Sequence, residues 1–175
     1  MIEVSETLLL KRISLSHVDA IFETIDSERA YLRQWLPFVD TTLGVHDTFS
    51  YVQGVIEQNE PQYSIFKENR FVGILGFKHI DAPNRKAEIG YWLSQKVQGR
   101  GIMIRAINEL LLKSFNDWGL HKVQIKIAVD NLRSRRIPEK IGFSLEGIER
   151  AGELLVDNKF TDLAVYGLLK TEFKI

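Results

Sequence analysis

Hydrophobic and polar positions change period several times along the chain, and each change marks a predicted element. Two-residue alternation, the period of a half-buried strand, runs through Ala87, Ile89, Tyr91 and Leu93, and again through Val123, Ile125, Ile127 and Val129. Between them Ile104, Ile107, Leu111, Phe115 and Trp118 recur at three- and four-residue steps, the stripe of an amphipathic helix, with Gly119 as its predicted C-terminal cap. A strand, a helix and a strand in that order make a crossover, which sets the two strands side by side and parallel.

The remaining patterns are shorter. Thr7 to Ile13 reads as an opening strand, and Ser16 as the N-cap of a short helix through Val18, Ala20, Ile21 and Phe22. Glu28 to Leu36 reads as a second helix ending before Pro37, with Tyr31, Trp35, Leu36 and Phe38 either in the core or lining a substrate cleft. Asp47 is the expected cap of a helix through Phe49, Val52, Val55 and Ile56, which the Glu60-Pro61 break ends. Gln62 to Lys67 and Phe71 to Ile80 flank Glu68-Asn69-Arg70 as a hairpin, and Asp81-Ala82-Pro83-Asn84 turns the chain again. Asn131 opens a helical segment to Ile141, in which Pro138 predicts a kink or a short helix. Gly142-Phe143 leads into another strand, and Val156 to Leu169 folds back around Asp157-Asn158-Lys159. The expectation is one α/β domain over residues 1–175, its strands mostly in hairpins.

Composition narrows the chemistry. Lys plus Arg equals Asp plus Glu at 23 each, so no global field points to nucleic acid. Cysteine is absent, which removes disulfides, thiolate metal sites and a cysteine nucleophile together. His17, His46, His79 and His121 show no metal-ligand spacing, and no metal is expected; His79, at the end of its strand, is a reserve base. The first residues carry no basic stretch followed by an apolar one, and no run approaches membrane-spanning length, so a cytoplasmic protein without a membrane partner is expected.

The candidate chemistry centres on Gln98-Gly99-Arg100-Gly101-Ile102-Met103, at the joint between the strand at 87–93 and the long helix. The first N–H groups of a helix have no internal partner and the dipole there favours an anion, so such a joint binds phosphate through bare backbone. Glycine lets the backbone approach closely, although a plain tight turn has the same composition. A P-loop would need Gly-Lys-Ser/Thr, and a dinucleotide fingerprint a small residue where Ile104 stands; both fail here.

The stretch resembles the acetyl-CoA loop of the GNAT N-acetyltransferases, Gln/Arg-x-x-Gly-x-Gly/Ala, with Gln98 and Gly101 in frame and Met103 departing at the last small position. The variant is similar to that of the Rim-type ribosomal-protein N-terminal acetyltransferases. A second signature of the family, Asn-x-x-Ser followed by a helix ending in Glu-Lys-x-Gly-Phe, is matched by Asn131, Ser134 and Glu139-Lys140-Ile141-Gly142-Phe143. Asn158 to Lys170, with Asp162, Tyr166, Leu168 and Leu169, resembles the closing hairpin of the Rim-type branch, so the resemblance covers about residues 85–170. It implies a mixed, mostly antiparallel twisted sheet with helices on both faces and a parallel strand pair that splays around the pantetheine arm of acetyl-CoA. It also implies cofactor contacts from Leu93, Gln98, Gly99, Arg100, Gly101, Ile102, Met103, Asn131 and Ser134, and a homo-oligomer, with a dimer favoured.

Asn131 carries both a donor and an acceptor that suit a pantetheine amide, and asparagine is equally a good N-cap. Ser134 lies one helical turn further on. Many family members place a tyrosine, the acid for the departing thiolate, where this chain has Pro138; either Ser134 takes that part, as the Rim-type resemblance implies, or water does. Without cysteine the simplest reaction is direct attack of a neutral amine on the thioester. An α-amine near pKa 8 is about a tenth neutral at pH 7, whereas a lysine near 10.4 is neutral to about one part in a few thousand, so a terminal amine needs only a modest base. Glu88, beside the cofactor strand, and Glu153 are carboxylates that could serve, directly or through water, or else simply meet solvent. The oxyanion would be met by a backbone N–H around Tyr91 to Leu93. Three readings follow: acetylation of a protein N-terminus, of a ribosomal protein for example; acetylation of a small amine such as a polyamine or an antibiotic; and a CoA-binding regulator without turnover.

Overall fold

In the computed structural model, which describes residues 1–174, the chain opens on a hairpin of β1 (Ile2–Ser5) and β2 (Leu8–Arg12). Then come α1 (Val18–Ser27), the single turn α2 (Arg29–Leu32) and α3 (Val45–Glu57). The strands β3 (Gln62–Lys67), β4 (Arg70–Asp81) and β5 (Lys86–Leu93) precede the central helix α4 (Ile102–Asn116). The chain continues through β6 (Lys122–Ala128), α5 (Leu132–Ile141), β7 (Ser144–Leu155) and β8 (Lys159–Leu169). The strands form one open sheet in the order β1-β2-β3-β4-β5-β6-β8-β7. Neighbours β1 and β2, β2 and β3, β3 and β4, and β6 and β8 pair antiparallel, while the crossover through α4 makes β5 and β6 parallel, as the alternation predicts. The parallel register runs from Lys86↔Lys122 to Glu88↔Gln124, whereas β5 itself continues to Leu93 and β6 to Ala128.

The chain divides into two compact units: residues 1–76, 91–102 and 155–157, and residues 77–90, 103–154 and 158 onward. The first has a core of Ile13, Val18, Ile21, Ile25, Leu32, Val39, Val52, Val55, Ile74 and Trp92. In the second, α4 buries Met103, Ala106, Ile107, Leu110, Leu111 and Phe115, and β6 buries Val123, Ile125 and Ile127. Among the described residues no helix is long and apolar enough to cross a membrane.

Local chemistry decides the turns. Glu68 and Asn69 both adopt positive φ, 50° and 63°, the pair that a two-residue hairpin with the twist of its strands requires. The Asp81 carboxylate accepts the Asn84 N–H at 3.2 Å and its side-chain amide at 2.9 Å, closing the expected turn and holding the Asp81 pKa below the usual carboxylate range. The last turn places Asp157 and Asn158 at φ 60° and 57°, and joins β7 to β8 as a hairpin.

Several boundaries differ from the sequence reading. The single strand expected over Thr7–Ile13 is preceded by β1, whose four residues are too short to show a period. Ser16 does not cap α1: His17 stands at the N-cap, and the Ser16 hydroxyl bonds Ser14 at 2.8 Å. The helix expected from Glu28 to Leu36 is one turn, Arg29–Leu32, and Pro37 begins a 3-10 turn over Pro37–Asp40. Asp47 sits inside the first turn of α3, where its carboxylate accepts the Leu43 and Gly44 N–H groups at 2.8 and 2.9 Å. α4 ends at Asn116, leaving Trp118 42% exposed; Gly119, at φ 64°, still closes it, and the Leu120 N–H reaches the Ser114 carbonyl at 2.9 Å. In β5 the alternation breaks after Ile89. Tyr91 is half-buried and Trp92 buried, so the stripe changes face within the strand.

Candidate functional site

The joint after β5 is built from conformation. Gly99 and Gly101 adopt φ 76° and 69°, and a Cβ at either would meet no atom within 4 Å. The backbone shape alone therefore calls for glycine. α4 starts at Ile102, so its unpaired first-turn N–H groups lie at the end of this loop. Ile102 and Met103 are buried at 1% and 4% exposure, which leaves their backbone as what they offer a ligand. The small residue that the family frame expects at 103 is replaced by a side chain that fills core. Arg100 is exposed and, after Lys67, is one of the charges that hold the Glu68 pKa down.

The loop is fastened at its entry. The Gln98 side-chain amide donates to the Leu93 carbonyl at 3.2 Å and to the Tyr31 hydroxyl. The Glu28 carboxylate, 7% exposed, accepts the Ser94 hydroxyl at 2.6 Å and the Gln95 N–H at 2.6 Å, and Lys96 Nζ stands 3.9 Å away. Gln98 and Leu93, both expected at the cofactor, are thus bonded to each other, and Gln98 works as an internal brace. Glu28 and the Tyr31 hydroxyl escaped the sequence reading, because a glutamate at a helix start carries no mark of burial. The same turn, α2, anchors the segment after it: Arg29 donates to the Thr42 carbonyl at 2.8 Å and to that of Val39, and Arg33 makes two 2.8 Å bonds to Asp40.

In the second unit Asn131 is the N-cap of α5, its side-chain oxygen accepting the Ser134 N–H at 3.2 Å. Asn131 and Ser134 are therefore brought together by the cap itself. Pro138 lies inside α5 and is buried. Glu139, read as part of a signature, accepts the Tyr166 hydroxyl at 2.7 Å, and that oxygen accepts Arg135 Nε at 2.9 Å. Tyr166 is 1% exposed, so this chain of bonds ties α5 to β8.

A charged ladder crosses the strands of the same unit. Glu88 lies 3.5 Å from Lys78 Nζ and 3.8 Å from Lys126 Nζ, and Lys126 is 2.8 Å from Glu149. Glu153 joins this group: burial pushes its pKa up, Glu88 adds to that and Lys78 opposes it. The two carboxylates singled out from sequence are thus electrostatic neighbours. His79 is exposed, and His17 is structural, its Nδ1 3.0 Å from the Ser64 hydroxyl and its ring edge-on to Phe66. Among the described residues no group of three or more His, Asp or Glu side chains could hold a metal ion.

The chain is similar to known proteins over most of its length. The family model described as Acetyltransferase (GNAT) domain matches residues 7–144. A ribosomal-protein-serine acetyltransferase of Escherichia coli is 33% identical over 169 residues, covering 94% of each chain. Among solved structures, the ribosomal α-N-protein acetyltransferase RimL in complex with coenzyme A superimposes with a TM-score of 0.91 at 31% identity, over 96% of this chain and 97% of that one. The microcin self-immunity acetyltransferase MccE, in complex with acetyl-CoA and AMP, gives 0.88 at 25% identity over 95% and 94%.

Proposed function

The chain belongs to the GNAT acetyltransferase family and is an acetyl-CoA-dependent N-acetyltransferase, and from that premise we propose that its acceptor is the α-amine of a protein N-terminus, that of a ribosomal protein in particular. The observation that carries this reading is the likeness, end to end, to the coenzyme A complex of a ribosomal α-N-protein acetyltransferase at a TM-score of 0.91.

The residues present fit the cofactor. The loop over Gln98, Gly99, Arg100, Gly101, Ile102 and Met103 offers backbone N–H groups to the pyrophosphate, with Arg100 adding charge and Leu93 ending the strand beside which the pantetheine arm is read. Asn131 and Ser134 take the amide and thiol end of that arm. Bound acetyl-CoA supplies an activated thioester. Glu153 removes the proton from the ammonium, its pKa raised by burial and further by the Glu88 charge. The amine nitrogen then attacks the carbonyl carbon. As the C–N bond forms, the nitrogen gives up its second proton to solvent, and as the C–S bond breaks, the departing thiolate takes its proton from the Ser134 hydroxyl, which regains one from solvent. A carboxylate with a raised pKa suits an acceptor whose own pKa is near 8 better than one near 10.4.

A small-amine acceptor is the second reading, favoured by the likeness to MccE in complex with acetyl-CoA and the small molecule AMP. Thiol release with peptides bearing free or blocked amino termini, alongside polyamines, separates the two. Turnover on free-terminus peptides alone is expected, and activity confined to small amines overturns the proposal. The same reading takes the protein as cytoplasmic and homo-oligomeric, a dimer, which equilibrium sedimentation checks.

A further inference from the structure

The segment from Leu93 to Gln98, which delivers the chain into the glycine loop, is held at both ends by two side chains of the α2 turn. Glu28 opens that turn, its backbone carbonyl accepting the Tyr31 and Leu32 N–H groups at 3.0 Å each. Its carboxylate faces the other way, and each oxygen takes a separate donor: Oε1 the Ser94 hydroxyl, Oε2 the Gln95 N–H. A carboxylate this buried is unfavourable unless its oxygens are bonded, and charge-assisted bonds of 2.6 Å are the strong kind that offset the lost solvation. Tyr31 stands three residues on, on the same side of the turn. Its ring packs against the core, so its hydroxyl is a fixed point for Gln98. The backbone immediately before Gly99 is thereby pinned at positions 94, 95 and 98.

We propose that Glu28 and Tyr31 are positioning residues for acetyl-CoA: without touching it, they fix the loop in the shape that presents its N–H groups to the pyrophosphate. This rests on the reading of the Gly99–Gly101 loop as the pyrophosphate site. Backbone amides bind an anion well only when already oriented, and a loop released from its pins must be ordered at the moment of binding. Loss of a pin therefore weakens cofactor capture and leaves the chemical step alone once the site is filled.

Direct binding of coenzyme A to the full chain, measured by calorimetry together with kcat and both KM values, tests this. Tyr31→Phe keeps the ring in the core and removes only the hydroxyl. It is expected to raise the coenzyme A Kd and the acetyl-CoA KM roughly threefold to tenfold, with kcat and acceptor KM unchanged. Glu28→Gln, which keeps one good acceptor, should weaken binding less than Glu28→Ala. Gly101→Val separates the two layers of the argument. If it leaves coenzyme A binding at the wild-type level, the loop reading falls. If it weakens binding while Tyr31→Phe and Glu28→Gln do not, the loop reading stands and the positioning role is overturned. A loss of kcat at unchanged Kd overturns it as well, and where Glu28→Ala does not fold, Tyr31→Phe decides.

Discussion

Glu88 forms an ion pair from β5 to Lys126 on β6, with Glu88 Oε2 3.8 Å from Lys126 Nζ, and Lys78 lies 3.5 Å from the other oxygen of the same carboxylate. Both oxygens of Glu88 therefore already face ammonium groups of this chain. Glu153, whose pKa burial raises, is better matched to take a proton near neutral pH. We expect Glu153→Gln to lower kcat/KM for the amine roughly a hundredfold or more, and Glu88→Gln to lower it much less. Equal losses in the two variants would remove the assignment of Glu153 as the base.

The same shift fixes a dependence on pH. A carboxyl whose folded pKa exceeds its unfolded value binds protons more tightly in the fold, so its contribution to stability is present below the ordinary value of 4.5 and is lost as pH rises through the folded pKa. Ionised Glu153 therefore disfavours the fold at neutral pH. The melting temperature of Glu153→Gln should rise relative to wild type between pH 4 and pH 8, while the acid limb of kcat/KM, expected in the wild type above the usual carboxylate range, should disappear.

Much of this was legible from sequence wherever a pattern spanned a whole element. The alternation in β6, the crossover through α4, the Glu68-Asn69 turn and the Asn131 cap all follow from local rules that the structure obeys. The reading fails where tertiary contacts outweigh the local pattern. Trp92 turns inward because the core of Ile13, Ile21 and Val52 takes it, against the alternation set by Ala87 and Ile89. β1 exists only because β2 pairs with it, Ile2 against Leu10. In the site, the glycines and Asn131 carry their own chemistry and were visible. Glu28 was not, since its role is set by Ser94 and Gln95, far along the chain.

Gly101 supplies a test of conformation against packing. Its φ of 69° lies in the left-handed region, and a Cβ there would meet open space. Replacement by asparagine, which tolerates that region, should therefore retain more acetyl-CoA affinity than alanine, and alanine more than valine. Each step reflects backbone strain of about 1 kcal/mol. Titration with coenzyme A measures the order; a ranking by side-chain volume without an advantage for asparagine would point to a steric role for the loop instead.

The bond chain from Arg135 through the Tyr166 hydroxyl to Glu139 is a matter of stability. Burial first, and then the bond to Glu139, raise the Tyr166 pKa, so the phenol stays protonated and donates throughout the physiological range. Tyr166→Phe removes one bond given and one received, at a cost of about 1–2 kcal/mol, or a melting temperature lower by roughly 2–8 °C for a chain of this size. The acetyl-CoA KM should not move, because the ring still fills its site; thermal melts and steady-state kinetics on the same preparation decide it.

Asn131 is an N-cap and, in the proposed function, a cofactor contact, and one substitution can part the two. As N-cap its oxygen accepts the Ser134 N–H at 3.2 Å, and aspartate serves that purpose as well as asparagine does. Aspartate lacks the amide donor that a pantetheine carbonyl would need. Asn131→Asp should therefore melt with the wild type, whereas Asn131→Ala loses about 1 kcal/mol of stability; both should weaken acetyl-CoA binding. Ser134→Ala leaves the cap intact, since the cap uses the backbone N–H of Ser134, and should lower kcat more than acetyl-CoA affinity. Normal cofactor affinity in Asn131→Asp would confine Asn131 to the helix end, and an unchanged kcat in Ser134→Ala would leave the leaving thiolate to be protonated by water.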